Sequence, residues 1–145
     1  MSLFNPTRDQ VREFFFNTWL KYKQLLTLSD LEKMGLSVML LHPEYHDVLD
    51  APKKFMHQEY FPEFGTTNPF LHMSLHLSVL EQISINQPTG IAELFKKLVN
   101  KHQNERDAVK DMIECLGEMI WQAQRNQTPP DGALYLNLLQ NKTQL

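Results

Sequence analysis

Residues 68–85 read NPFLHMSLHLSVLEQISI, and their pattern decides the fold class. Asn68 carries a side-chain acceptor suited to cap a helix, and Pro69 fits the first helical position, where a missing N–H costs nothing. Phe70, Leu71, Met73, Leu75, Leu77, Val79, Leu80 and Ile83 then fall almost all the way round a helical wheel. A helix that is apolar on nearly every side belongs inside a protein. Residues 69–86 are therefore predicted to be a buried central helix.

The flanking segments repeat the helical period. Upstream, Asn5 and Pro6 predict a helix running to about Leu26, with Val11, Phe14, Phe15, Thr18, Trp19, Tyr22, Leu25 and Leu26 as its buried stripe. Phe16 and Leu20 fall off that stripe and are expected to meet a second helix or a partner. Ser29 and Glu32 form a capping-box pair that opens the next helix. Pro43 then disfavours helical geometry at His42 and starts a new turn, so HPEYHDVLD is a short or kinked helix stopped before Pro52. Residues 52–67 mix Pro, Gly, Thr and the aromatics Phe55, Tyr60, Phe61 and Phe64, and read as an irregular segment. Downstream, Thr89, the stretch near Glu105 and Asp131 open three more helices. The third helix from the end is short and amphipathic. The next buries Ala108, Val109, Met112, Cys115, Leu116, Met119 and Ile120, and the last carries Leu134, Leu138 and Leu139. No strand pair is legible. The expectation is an all-α chain, residues 1–145 forming a single domain, built as a compact bundle of five to seven helices.

Composition narrows the function classes. The chain has 145 residues, which suits one domain with a real core. A formal charge of −3 and scattered cations argue against a nucleic-acid partner, which needs a basic face. No stretch is apolar enough to cross a membrane. The lone Cys115 rules out an internal disulfide, and the N-terminus lacks a leader's apolar run, so a soluble cytoplasmic protein is expected.

Five segments carry a family resemblance: NPTRDQVREFF at 5–15, HPEYH at 42–46, TNPFLHMSLHLSVLEQISINQPTGI at 67–91, ECLGEMIWQAQR at 114–125 and PPDGALYL at 129–136. Together they resemble a bacterial family of short helical proteins known only as a domain of unknown function. The resemblance runs from about Phe4 to Leu139 and implies a bacterial origin and a helical fold. It brings no activity, substrate or cofactor.

The candidate chemistry lies in the histidines. His72 and His76 are one helical turn apart, so both imidazoles share a face, and neutral imidazoles at that spacing form half of a zinc or iron site. The adjacent glutamate of a zincin motif is missing. His42 and His46 are the source of a third ligand, and Glu44, Tyr45 and Glu81 are the nearest outer partners by sequence. The structural alternatives are ordinary: His72 bonding the preceding loop, His76 a satisfied core residue, His42 a helix end and His46 a surface group. Glu114 and Glu118 share a face with Asp107 and Asp111 and read as solvated. Cys115 lies in an apolar arc and reads as an inert thiol. Trp121, beside Arg125 on the polar side, is either an interface anchor or covered by the last helix, and cover is the preferred expectation.

Two readings follow. The first is a non-enzymatic helical interaction protein whose partner, another protein or a second copy, meets Phe16, Leu20 or Trp121. The alternative is a metal-binding helical protein, a hydrolase or transferase, using zinc or iron on His72, His76 and His42 or His46. The sequence leaves open whether the chain is an enzyme.

Overall fold

The computed structural model describes residues 7–61 and 67–144. Among them are eight α-helices and no strand: α1 Arg8–Lys23, α2 Asp30–Leu40, α3 His46–Leu49, α4 Pro52–Phe55, α5 Pro69–Ile85, α6 Ile91–His102, α7 Glu105–Asn126 and α8 Gly132–Lys142. A 3-10 turn, Pro43–Tyr45, joins α2 to α3. The fold class is all-α. Contacts divide the chain into two compact units, Met1–Leu77 and Ser78–Leu145, with the boundary inside α5. No helix among the described residues is long and apolar enough to cross a membrane.

In the first unit α1 starts later than Asn5. Thr7 is its N-cap, accepting from the Gln10 N–H at 3.1 Å while the Gln10 side chain accepts from the Thr7 N–H at 3.0 Å. This Thr-x-x-Gln box satisfies two donors at once. Residues 1–6, including Asn5 and Pro6, lie outside the described residues. The helix ends at Lys23 rather than Leu26, and Leu25 turns to a positive φ with 91% of its surface exposed. Its buried face is Arg12, Phe15, Phe16, Thr18 and Trp19, rotated from the expected stripe.

Two contacts explain the rotation. Phe16 is only 6% exposed because its ring meets Phe70 edge-on, with centroids 5.4 Å apart. Arg12 is buried with its guanidinium 4.8 Å from the Phe70 ring centre and 5.6 Å from that of Tyr60. Its Nη1 donates to the Met56 carbonyl at 2.9 Å, tying the end of α4 to α1. A cation over two aromatic faces recovers part of its lost hydration, and burial holds its pKa below the ordinary value. The capping box at Ser29 forms as expected, with both bonds near 3 Å: 3.1 Å from the Glu32 N–H and 2.9 Å from the Ser29 N–H. Gly35 lets α2 lie against α1, since a Cβ there would stand 2.9 Å from Phe14 Cε1.

Asn68 caps α5, its side-chain oxygen accepting from the Phe70 and Leu71 N–H groups at 3.0 and 3.2 Å. Phe70, Met73, His76, Leu77 and Val79 are buried, whereas Leu75 and Leu80 are only half-buried and Leu71 is exposed. The segment predicted as irregular holds the single turn α4, and its Phe64 lies outside the described residues.

In the second unit α6 is capped by Gly90 at φ +100°, not by Thr89. The side chain of Asn86 accepts from the Gly90 and Ala92 N–H groups instead, at 3.2 and 3.1 Å. The buried residues of α7 are Ala108, Met112, Cys115, Leu116, Met119 and Ala123, with Val109 and Ile120 half-buried. Asp131 caps α8 as its sequence predicts, 3.1 Å from the Leu134 N–H. Tyr135 and Leu139 are the inward residues of α8, and the Tyr135 hydroxyl donates to Gln82 Oε1 at 2.7 Å.

Candidate functional site: a histidine cluster

Three of the four candidate histidines come together in the first unit. Pro43 makes this possible. The residue before a proline is pushed out of helical geometry, and His42 stands at φ −124°, ψ 65° before the 3-10 turn. The helical turn that would have stacked His42 and His46 on one face is thereby broken. His42 faces α5, its ring centre 4.7 Å from His72 and 5.2 Å from His76. His72 and His76 present the shared face that their spacing on α5 dictates.

His46 does not join them. It begins α3, bonds the Met39 carbonyl through Nε2 at 2.7 Å, and packs on Trp19 with ring centres 4.6 Å apart. As a donor to a buried strip of α2, it anchors the turn. It is half-buried against Trp19 rather than the surface group that the sequence suggested, and it stands apart from the other three rings.

The hydrogen bonds set the tautomers. Glu44 Oε1 lies 2.7 Å from His42 Nδ1. Burial disfavours its charge, but its own backbone N–H and His42 together hold the Glu44 carboxyl below its ordinary pKa. An ionised carboxylate only accepts, so His42 carries its proton on Nδ1. His42 Nε2 in turn lies 3.0 Å from His76 Nδ1. Burial, followed by the proximity of His42 and His72, pushes His76 down to about 4, so it is neutral at pH 7 and donates its single Nδ1 proton to His42. The Tyr45 hydroxyl lies 2.8 Å from His72 Nδ1. Burial, with Glu44 nearby, holds that phenol above its ordinary pKa, and burial next to His42 lowers His72. His76 and His72 are therefore neutral at pH 7, and the His76 Nδ1 that faces His42 carries its proton.

One pair of ring nitrogens stands at the separation of two ligands on one ion. Two nitrogens on one ion at the zinc–imidazole distance stand roughly 2.9–3.4 Å apart for angles between square and tetrahedral, and His42 Nε2 and His76 Nδ1 are 3.0 Å apart. Among the described residues, however, no group of three or more His, Cys, Asp or Glu side chains is placed to hold a metal ion. The His42 Nε2–His76 Nδ1 gap is closed by the hydrogen bond between the two rings. Of the expected outer partners, Glu44 and Tyr45 are present, while Glu81 belongs to the second unit.

The interface candidates separate. Phe16 is buried by Phe70 within its own unit, which removes it from any exposed patch. Leu20 is 53% exposed and lines a groove of about 490 Å³ with Phe14, Asn17 and Leu26. Trp121 is 52% exposed, so α8 does not cover it, and Arg125 lies 5.3 Å from its ring centre. Glu114 and Glu118 are exposed, as their wheel positions predict. Cys115 is buried, and burial pushes its thiol up to about 11, too high for a nucleophile at neutral pH. Sequence reasoning missed Arg12, because a cation on a helix wheel is ordinarily placed outside.

A family model described as a domain of unknown function (DUF1841) matches residues 7–141. Comparison with curated proteins and with solved structures gave no match.

Proposed function

We propose that the chain, which belongs to this DUF1841 family, is a metal-binding helical protein whose ligands are His42, His72 and His76. The observation that supports it most is the 3.0 Å approach of His42 Nε2 to His76 Nδ1, with the His72 ring against the same imidazole. Three imidazoles from two segments distant in sequence suit zinc or iron, and leave further positions on the ion for water or substrate. Hydrolysis or group transfer through such a water is the chemistry this donor set supports. A single buried thiol and the family resemblance favour a bacterial, cytoplasmic setting.

The test is a zinc titration of the full chain against a His72→Ala, His76→Ala double variant. Wild type is expected to bind one ion per chain and the variant at least about 100-fold more weakly, since even outer partners are worth 10–100-fold. Equal binding by the two proteins sinks the assignment.

A second reading, a helical interaction protein, draws on Leu20 and Trp121. Each is a large apolar side chain left half open to solvent in its own unit. Its partner is another protein or a second copy of the chain.

A further inference from the structure

We propose that α1 carries a self-complementary face on which a second copy of the chain docks antiparallel, with Asn17 on the two-fold axis. This deepens the interaction reading above, on which it rests, by naming its partner. Gln10, Glu13, Asn17, Leu20 and Gln24 are all exposed, and they recur at alternating steps of three and four residues. That spacing draws one open stripe along the helix, away from the buried face of Arg12, Phe15, Phe16, Thr18 and Trp19. Phe14 and Lys21 flank the stripe, and with Leu26 these residues line the groove of about 490 Å³.

Charge decides the direction. In an antiparallel two-fold pair, a residue a given number of positions before Asn17 meets the residue equally far after it on the other copy. Glu13 then faces Lys21, Phe14 faces Leu20 and Gln10 faces Gln24, each pair made twice. A parallel pair would instead set Glu13 against Glu13 and Lys21 against Lys21, and like charges repel across an interface. Lys21 Nζ holds Glu32 of its own chain at 2.8 Å, yet 41% of its side chain stays open. An ammonium has three donors, so Lys21 bridges one carboxylate from each copy. Leu20 is 53% exposed, and docking takes that apolar surface out of water against Phe14. Asn17 meets its own counterpart on the axis. An amide both donates and accepts, so two of them satisfy each other there and fix the register.

Sedimentation velocity of the full chain over a concentration series tests this pairing. Wild type is expected to form a dimer. Glu13→Lys sets a second cation against Lys21, and Lys21→Glu sets a second carboxylate against Glu13. Each variant alone is expected to self-associate at least about 10-fold more weakly. An equal mixture of the two variants restores opposite charges at both contacts of the mixed pair, and is expected to recover a dimer of wild-type strength. Circular dichroism checks that both variants are folded, and Glu13 is exposed enough to be changed without disturbing the core. A dimer that neither variant weakens, or a mixture no tighter than the variants alone, overturns the α1 pairing while the interaction reading keeps Trp121. A wild-type chain that stays monomeric throughout overturns the second copy as partner and leaves the interaction reading to a different protein.

Discussion

Replacing Trp19 by Ala is expected to destabilise the chain by about 3–5 kcal/mol, the range for truncating a buried Trp or Phe. Trp19 is 3% exposed and sits where α1, α2 and α3 meet through side chains. Its ring packs against His46, and its indole N–H donates to Asp50 Oδ1 at 2.7 Å. Truncation removes the ring volume and the contact that holds His46 over the Met39 carbonyl. Trp19→Phe keeps most of the volume and loses only the indole bond to a carboxylate that water can reach, so it costs about 1–2 kcal/mol. Urea unfolding of the three proteins measures both. A cost for Trp19→Ala below that of Trp19→Phe would show that this junction is not packed as described.

Substitution of His42 and His46 is expected to divide stability from metal binding. His42→Ala removes the ligand backed by Glu44 and weakens zinc binding by more than about 100-fold, beyond the loss typical of an outer partner. His46→Ala leaves zinc binding as it is. It strands a buried carbonyl at Met39 and uncovers one face of Trp19, at a cost of about 1–3 kcal/mol. Zinc titration and urea unfolding of each variant give a two-by-two result. Equal losses of zinc affinity in both would place His46 among the ligands and contradict the divergence at Pro43.

Local signals were the most legible part of the fold. Ser29 with Glu32, Asn68 before Pro69, and Asp131 all cap helices because a side-chain oxygen within three residues of a free N–H is decided locally. The start of α1 is set at Thr7 because Gln10, three residues on, completes its capping box. Faces were harder than elements. Phe16 goes inward because Phe70, more than fifty residues away, offers an edge to its ring, and Arg12 goes inward because the same Phe70 and Tyr60 sandwich it. No pattern within α1 carries that information.

The histidines divide in the same way. That His72 and His76 share a face follows from helical spacing alone, and so does the suspicion that Pro43 splits His42 from His46. Which of the latter two turns to α5 depends on the 3-10 turn and on Trp19 offering His46 a place to stack. Both are tertiary facts. Trp121 illustrates the converse error: prolines after α7 do turn the chain back, yet the inward residues of α8 are Tyr135 and Leu139, and the indole stays open beneath Arg125.

The central claim is that His42, His72 and His76 hold one metal ion. Elemental analysis of the chain purified without an affinity tag tests it most directly, because no added histidines contribute. After incubation with zinc or iron and desalting, wild type is predicted to retain about one ion per chain, as a three-histidine site does, and His42→Ala to retain only background. Background metal in wild type as well, or equal metal in wild type and His42→Ala, would contradict the claim.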